Sequence, residues 1–160
     1  MDTETRKKVL QKVNNGVFIV SSHMGTEFNG MVASWVSQVS FAPPLVMIAV
    51  AKNRYSHDLI KNEGSFVVNV VGRDSAELVN SFSSPGNTMR FEGIPFFTRE
   101  TGSPILEAAI AYAECKTVQT VECGDHSLFI GEVVGAELLK DEPPLQLEHL
   151  GISYEGFSGS

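Results

Sequence analysis

The chain has 160 residues, 42% of them apolar and 19% charged, and a formal net charge of −7. That length holds one domain with a substantial core and is too short for two ordinary ones. The acidic balance, with no long basic run, argues against nucleic acid, where Lys and Arg must neutralise phosphates. No apolar run approaches the roughly 18 residues of a membrane helix.

The N-terminal stretch MDTETRKKVLQKV lacks the continuous apolar core of a signal peptide, so a cytoplasmic protein is expected. Cys115 and Cys123 match no common zinc or CxxC redox spacing. No metal site is expected, and both read as reduced thiols in or beside strands.

In chain order, residues 3–13 predict a short charged amphipathic helix with Val9, Leu10 and Val13 as its apolar face, stopped by Asn14-Asn15-Gly16. Val17 to Ser21 is β-branched and aromatic and reads as a strand. Gly25 supplies a turn, and the chain returns through Met31, Ala33 and Trp35 as a hairpin longer than the two-residue kind. Pro43-Pro44 cannot lie inside a central ladder and should connect into a buried strand, Leu45 to Ala51. Ser56 is a candidate N-cap for a helix over 57–62 that Gly64 ends.

Ser65 to Val71 is a further strand, and 75–82 a short helix before a Ser-Pro-Gly-Asn loop. Residues 91–99 are ambiguous, and Pro104 to Leu106 should open a long β stretch. Residues 108–122 alternate well enough for one strand or two. Gly124-Asp125 makes a turn into a strong strand from Ser127 to Leu138. The tail, 145–160, carries Leu145, Leu147, Leu150, Ile152, Tyr154 and Phe157. It is too apolar for free linker and should dock on its own barrel or on a partner subunit. Strand follows strand without βαβ alternation. The expected fold is therefore mainly β, an antiparallel barrel or sandwich with a few short helices, as a single domain over 1–160 with the barrel at about 16–140.

Four clusters can carry chemistry. Met31 to Ser40 surrounds Trp35, the only tryptophan, with Ser34, Ser37 and Ser40. Either this is an ordinary strand with a core tryptophan, or Trp35 covers a flat heteroaromatic ring whose polar edge meets Ser34 or Ser37. Ala51 to His57 leaves a buried strand and starts a helix. Lys52, Arg54, Ser56 and the helix amides can hold a phosphate there, or the segment is a solvated loop with a cap. Cys123 to Phe129 presents His126 at a turn, as a proton carrier or as a structural side chain. The aromatic tail is the fourth. Together, a ring site and a phosphate site one strand apart suit a mononucleotide. No G-x-G-x-x-G, P-loop, H-E-x-x-H or G-x-S-x-G is present.

The run NGMVASWVSQVSFAPPLVMIAVAKNRYSHDLIKNEGSFVVNV, followed at the right distance by GDHSLFIGEVV, resembles the flavin reductase-like, FMN-binding split-barrel family, from about Gly16 to Leu138. The resemblance implies an antiparallel split barrel, a homodimer, and FMN (or FAD) near the subunit interface. By position, Met31, Val32, Ala33, Ser34, Trp35 and Ser37 would line the isoalloxazine and ribityl chain. Ala49, Val50, Ala51, Lys52 and Asn53 would pass beneath it, and Arg54, Ser56 and His57 would sit by the phosphate. His126 matches the family's G-D-H histidine on the nicotinamide side. Two departures stand out: Met31 falls where relatives often carry threonine, and Met89-Arg90-Phe91 replaces a D-K-F element. The implied activity is hydride transfer from NADH or NADPH to flavin N5, with onward transfer to flavin, oxygen, iron or a partner protein. The alternative is an FMN electron carrier reduced by a partner protein, without productive NAD(P)H binding.

Overall fold

The computed structural model describes residues 2–83 and 91–151. Helix α1 (Thr3–Gln11) leads into strands β1 (Phe18–Met24), β2 (Glu27–Ala33), β3 (Val36–Ser40) and β4 (Leu45–Ala51). Helix α2 (Tyr55–Glu63), strand β5 (Ser65–Val70) and helix α3 (Glu77–Phe82) follow. Two short strands, β6 (Phe96–Phe97) and β7 (Ile105–Leu106), precede the long hairpin of β8 (Ala111–Cys123) and β9 (His126–Leu138), and α4 (Leu147–Leu150) comes last.

Seven strands form one antiparallel sheet in the order β2-β1-β5-β8-β9-β4-β3. Its two edge strands are consecutive in sequence: only Ser34 and Trp35 separate β2 from β3. An extended chain spans at most about 11 Å over those three steps, whereas the edges of a flat seven-stranded sheet stand about 29 Å apart. The sheet must therefore curl until its edges approach, and beside the Ser34-Trp35 link the Ala49 N–H donates to the Trp35 carbonyl at 3.0 Å, extending the β3–β4 ladder by one residue. This is the antiparallel split barrel that the sequence implies.

The barrel interior follows the period of two along each strand. Val20, Met31, Ala33, Ile48, Val50, Phe66, Val68, Cys115 and Phe129 fill it, and Ile60 of α2 reaches the same cluster. Phe66 lies over Gly131, where a Cβ would come within 2.6 Å of the Cys115 Cβ and 2.8 Å of the Phe66 ring. A second core forms outside the sheet, where Val17, Ile19, Val71, Phe82, Phe91 and Leu106 pack with Leu145 and Leu147 of the tail. Asn69, fully buried, joins the layers: its amide donates to the Ile19 carbonyl and Ser21 Oγ, both at 3.0 Å, and its Oδ1 accepts from the Leu106 N–H at 2.9 Å. Burial, and then Glu114, push the Cys115 thiol up to about 12, so it stays protonated, while Cys123 is exposed.

Most sequence expectations hold, and the departures have physical causes. The first hairpin turns in two residues, because Met24 pairs directly with Glu27 around Gly25 at φ +60°. Polar residues there read as loop, yet they find partners in the tertiary fold: His23 Nδ1 lies 2.8 Å from Ser103 Oγ. Ser56 is not the N-cap of α2. That position is Arg54, and Ser56 Oγ instead accepts from Asn29 Nδ2 at 2.7 Å. Gly64 does end the helix, at φ +71°. Residues 104–106 are not the start of the long strand but pair with β6. β8 is one strand, with register irregularities at Glu114/Cys115 and Thr117/Gln119 that let it bend around the barrel. Helix α1 ends at Gln11 and buries none of its residues, so its expected apolar face stays in solvent: Val9 is 59%, Leu10 61% and Val13 69% exposed.

The tail docks on its own domain as far as it is described. The Leu145 N–H donates to the Val71 carbonyl and the Leu147 N–H to the Asn15 carbonyl, both at 2.8 Å. Ile152, Tyr154 and Phe157, with Met89 and Arg90, lie outside the described residues.

Candidate functional site

Inward-facing residues change phase at the seam: Met31 and Ala33 point into the barrel before it, and Val36 packs against the same core after it. Ser34 and Trp35, between them, both line a cleft on the outer face. On β4 the inward residues are Ile48 and Val50, so Ala49 and Ala51 face out. Their methyl groups leave room where larger side chains would fill it. β9 brings the third segment, with Ala51 opposite His126, Val50 opposite Ser127 and Ala49 opposite Leu128. Three segments far apart in sequence thus meet at one corner of the barrel.

At that corner the Trp35 and His126 rings lie 4.6 Å apart, tilted by 35°. A cleft of about 380 Å³ opens on one side, with Ser34, Trp35, Asp125, His126 and Leu147 on its barrel wall. A second, of about 340 Å³, runs along Trp35, Ser37, Met47, Ala49, His126 and Leu128. A separate, narrow cleft lies between Ala33, Trp35, Ala49, Ala51 and Arg54. The two larger clefts are of the size that small-molecule sites occupy. The Asp125 carboxylate lies 2.6 Å from His126 Nδ1. Since an ionised carboxylate only accepts, Nδ1 carries the proton. That hydrogen bond, ahead of the charge attraction between the two side chains, lowers the Asp125 pKa below its ordinary 3.8.

The expected site residues divide by what they can offer. Val32, Ser34, Trp35, Ser37, Ala49 and Ala51 border the clefts, as does Arg54. Met31 and Ala33 belong to the barrel core and also border the narrow cleft, while Val50 commits its side chain to the core. Lys52 and Asn53 are exposed on the β4–α2 turn, where the Lys52 N–H donates to the Asp125 carbonyl at 2.9 Å. That bond ties the turn to the His126 loop. No side chain caps the N-terminus of α2.

His57, in the first turn of α2, turns its side chain inward. Its ring is buried, packs edge-on against Phe129 at 5.3 Å, and Nε2 lies 2.7 Å from Ser127 Oγ. It fastens α2 to β9 directly behind His126. Sequence reasoning passed over Ser127, Asn29 and Asp125. The adjacent His126 was a signal for Asp125, but nothing local could pair residues 57 and 127.

The match to known proteins agrees with this geometry. The flavin reductase like domain matches residues 10–157. Diflavin flavoprotein A 1 of Synechocystis sp. is 34% identical over 146 residues, which cover 89% of this chain and 26% of that protein. High molecular weight rubredoxin of Moorella thermoacetica is 34% identical over 149 residues, or 91% of this chain and 63% of that protein. The chain thus spans about a quarter of the length of the first and under two thirds of the second. Among solved structures, the NADH:FAD oxidoreductase of Streptomyces globisporus C-1027, in complex with NAD and FAD fragments, superposes with a TM-score of 0.85 at 26% identity. That alignment covers 99% of this chain and 95% of that one. An FMN-binding protein from Thermus thermophilus reaches 0.73 at 28% identity, over 79% of this chain and 71% of that one. With nearly its whole length matched by the domain and its barrel shared with these structures, the chain belongs to the flavin reductase like domain family.

Proposed function

We propose that this chain is a flavin-binding oxidoreductase module that holds FMN in the Trp35–His126 corner and accepts electrons from NADH or NADPH. The observation that carries the reading is the meeting of three segments at one outward corner: Ser34-Trp35, the small residues Ala49 and Ala51, and His126. The residues fit such a cofactor. Ser34 Oγ is buried with no hydrogen-bond partner among the described residues, beside an aromatic wall, where the polar edge of a ring would satisfy it. The uncapped N-terminus of α2, with Arg54 beside it and Lys52 on the preceding turn, suits a phosphate.

Bound flavin supplies the two-electron chemistry, and the protein supplies orientation, dryness and electrostatics. Trp35 and Leu128 shield one side of the cleft from water. Backbone groups of 49–53 and Ser34 set the plane of the ring. Asp125 fixes the His126 imidazole through Nδ1, so proton exchange with a ligand falls to Nε2. A second reading draws on the length comparison: in relatives about four times longer, the same domain is one part of a larger chain. There it would work as an FMN electron carrier reduced by a partner protein.

We also place the functional unit as a homodimer with the flavin near the interface. Val39, Phe41, Val118 and Val134 are exposed apolar side chains of the kind a second copy would cover. A cytoplasmic setting accords with two unpaired cysteines. No helix among the described residues is long and apolar enough to cross a membrane.

An anaerobic visible spectrum before and after NADH tests the reading. Flavin bands that bleach within seconds support the reductase. Bands that persist with NADH and NADPH but fall with dithionite support the carrier, and a colourless protein that ignores added FMN ends both. Arg54→Gln should weaken FMN binding about tenfold and leave riboflavin binding unchanged, because only FMN offers a phosphate to a charge-assisted hydrogen bond. Equal losses in a fluorescence titration would remove Arg54 from the phosphate site.

A further inference from the structure

Helix α1 faces the wrong way for an amphipathic helix. Thr3, Arg6, Lys7, Leu10, Gln11 and Asn14 line the 380 Å³ cleft opposite Trp35 and His126. Their spacing, i, i+3, i+4, i+7, i+8 and i+11, is one continuous helical face. The side turned to the barrel is thus largely polar and cationic, while Val9 and Val13 point to solvent. None of the nine residues of α1 is buried, and helices this short are marginal on their own.

Charge singles out the same face. The protein carries −7 overall, yet four of its twelve cationic side chains, Arg6, Lys7, Lys8 and Lys12, fall within ten residues of α1 and its end. Two of the four look into the cleft, and the cleft's opposite wall holds the Asp125 carboxylate, turned to His126, and the orphaned Ser34 hydroxyl, on a residue 92% buried. A cavity with cations on one wall and an aromatic pair on the other is complementary to a ligand with an anionic arm and a flat ring.

We propose that α1 is a cationic strap that binds the diphosphate of the reducing dinucleotide through Arg6 and Lys7, laying its nicotinamide toward Trp35 and His126. This rests on the reductase reading above and adds to it the wall that selects the reductant. The inner face of α1 thus offers charge to the ligand while Val9 and Val13 turn outward.

Calorimetric titration of NAD+ into the FMN-loaded protein tests this without turnover, with R6Q/K7Q compared against K8Q/K12Q. Both pairs remove the same charge from α1, and only the first lines the cleft. R6Q/K7Q should raise the NAD+ dissociation constant at least about tenfold, the loss of a charge-assisted contact, with FMN affinity and melting temperature unchanged. K8Q/K12Q should have little effect. Equal weakening by both pairs would reduce the helix to long-range attraction and overturn the strap, as would no weakening by either. Loss of FMN instead of NAD+ affinity in R6Q/K7Q would reassign the phosphate to the flavin and also overturn it. A wild-type protein that takes up FMN but no dinucleotide would overturn the strap together with the reductase reading, leaving the partner-reduced carrier.

Discussion

Anaerobic reduction of the bound flavin by NADH should slow about 100-fold in His126→Ala, the order of loss expected when a group that positions or exchanges a proton is removed. Flavin affinity should hardly change, because His126 does not line the narrow cleft that holds Ala49, Ala51 and Arg54. Stopped-flow absorbance and a flavin titration measure the two quantities separately. If flavin is lost, or the protein unfolds, the histidine is structural.

The Asp125 contact sets how this step responds to acid. Its carboxyl pKa lies below 3.8 in the folded chain because it accepts from His126 Nδ1. A depressed carboxylate pKa contributes fully above the unfolded value and is lost as pH falls through the folded one. The contact should therefore survive from neutral pH down to about the 3.8 of a free carboxyl and dissolve below it. Carboxyl and imidazole NMR shifts across that range would show it. A midpoint above 3.8 would mean that the two side chains do not pair in solution.

The largest stability effect should come from Phe66→Ala, at about 3–5 kcal/mol. Phe66 is fully buried, and its ring fills the space over Gly131 and beside Cys115. That is a large share of the roughly 5–15 kcal/mol available to a whole domain. The same contact makes a second substitution informative. Gly131→Ala puts a methyl group 2.6 Å from the Cys115 Cβ and 2.8 Å from the Phe66 ring, an overpacking that should cost about 1–3 kcal/mol. In a Phe66→Leu background the Gly131→Ala cost should shrink, with a coupling on the order of 1 kcal/mol in urea melts. Strict additivity would mean that the two positions do not touch.

Much of this protein is written locally. β-branched runs mark β1, β4, β5 and β9, Pro43-Pro44 marks the break between β3 and β4, and Gly64 and Gly124 mark where a helix and a strand end. Propensity and turn chemistry act over a few residues, so such features can be read from the residues themselves. The site segments were legible in the same way, as a Ser-Trp-Ser strand, a cationic turn and a G-D-H turn.

Other features were decided only when the sheet curled. At the seam Ser34 and Trp35 face outward, and the β3–β4 ladder sets Ala49 beside Trp35. Tertiary packing also pairs Asn29 with Ser56, which takes Ser56 from the helix cap, and His57 with Ser127. Those partners are 27 and 70 residues apart, and no local rule distinguishes them from many others of the same polarity. Helix α1 is the sharpest case. Its sequence specifies a helix with an apolar stripe, but which stripe meets the barrel depends on what the barrel presents there, and this barrel presents a cleft and not a core.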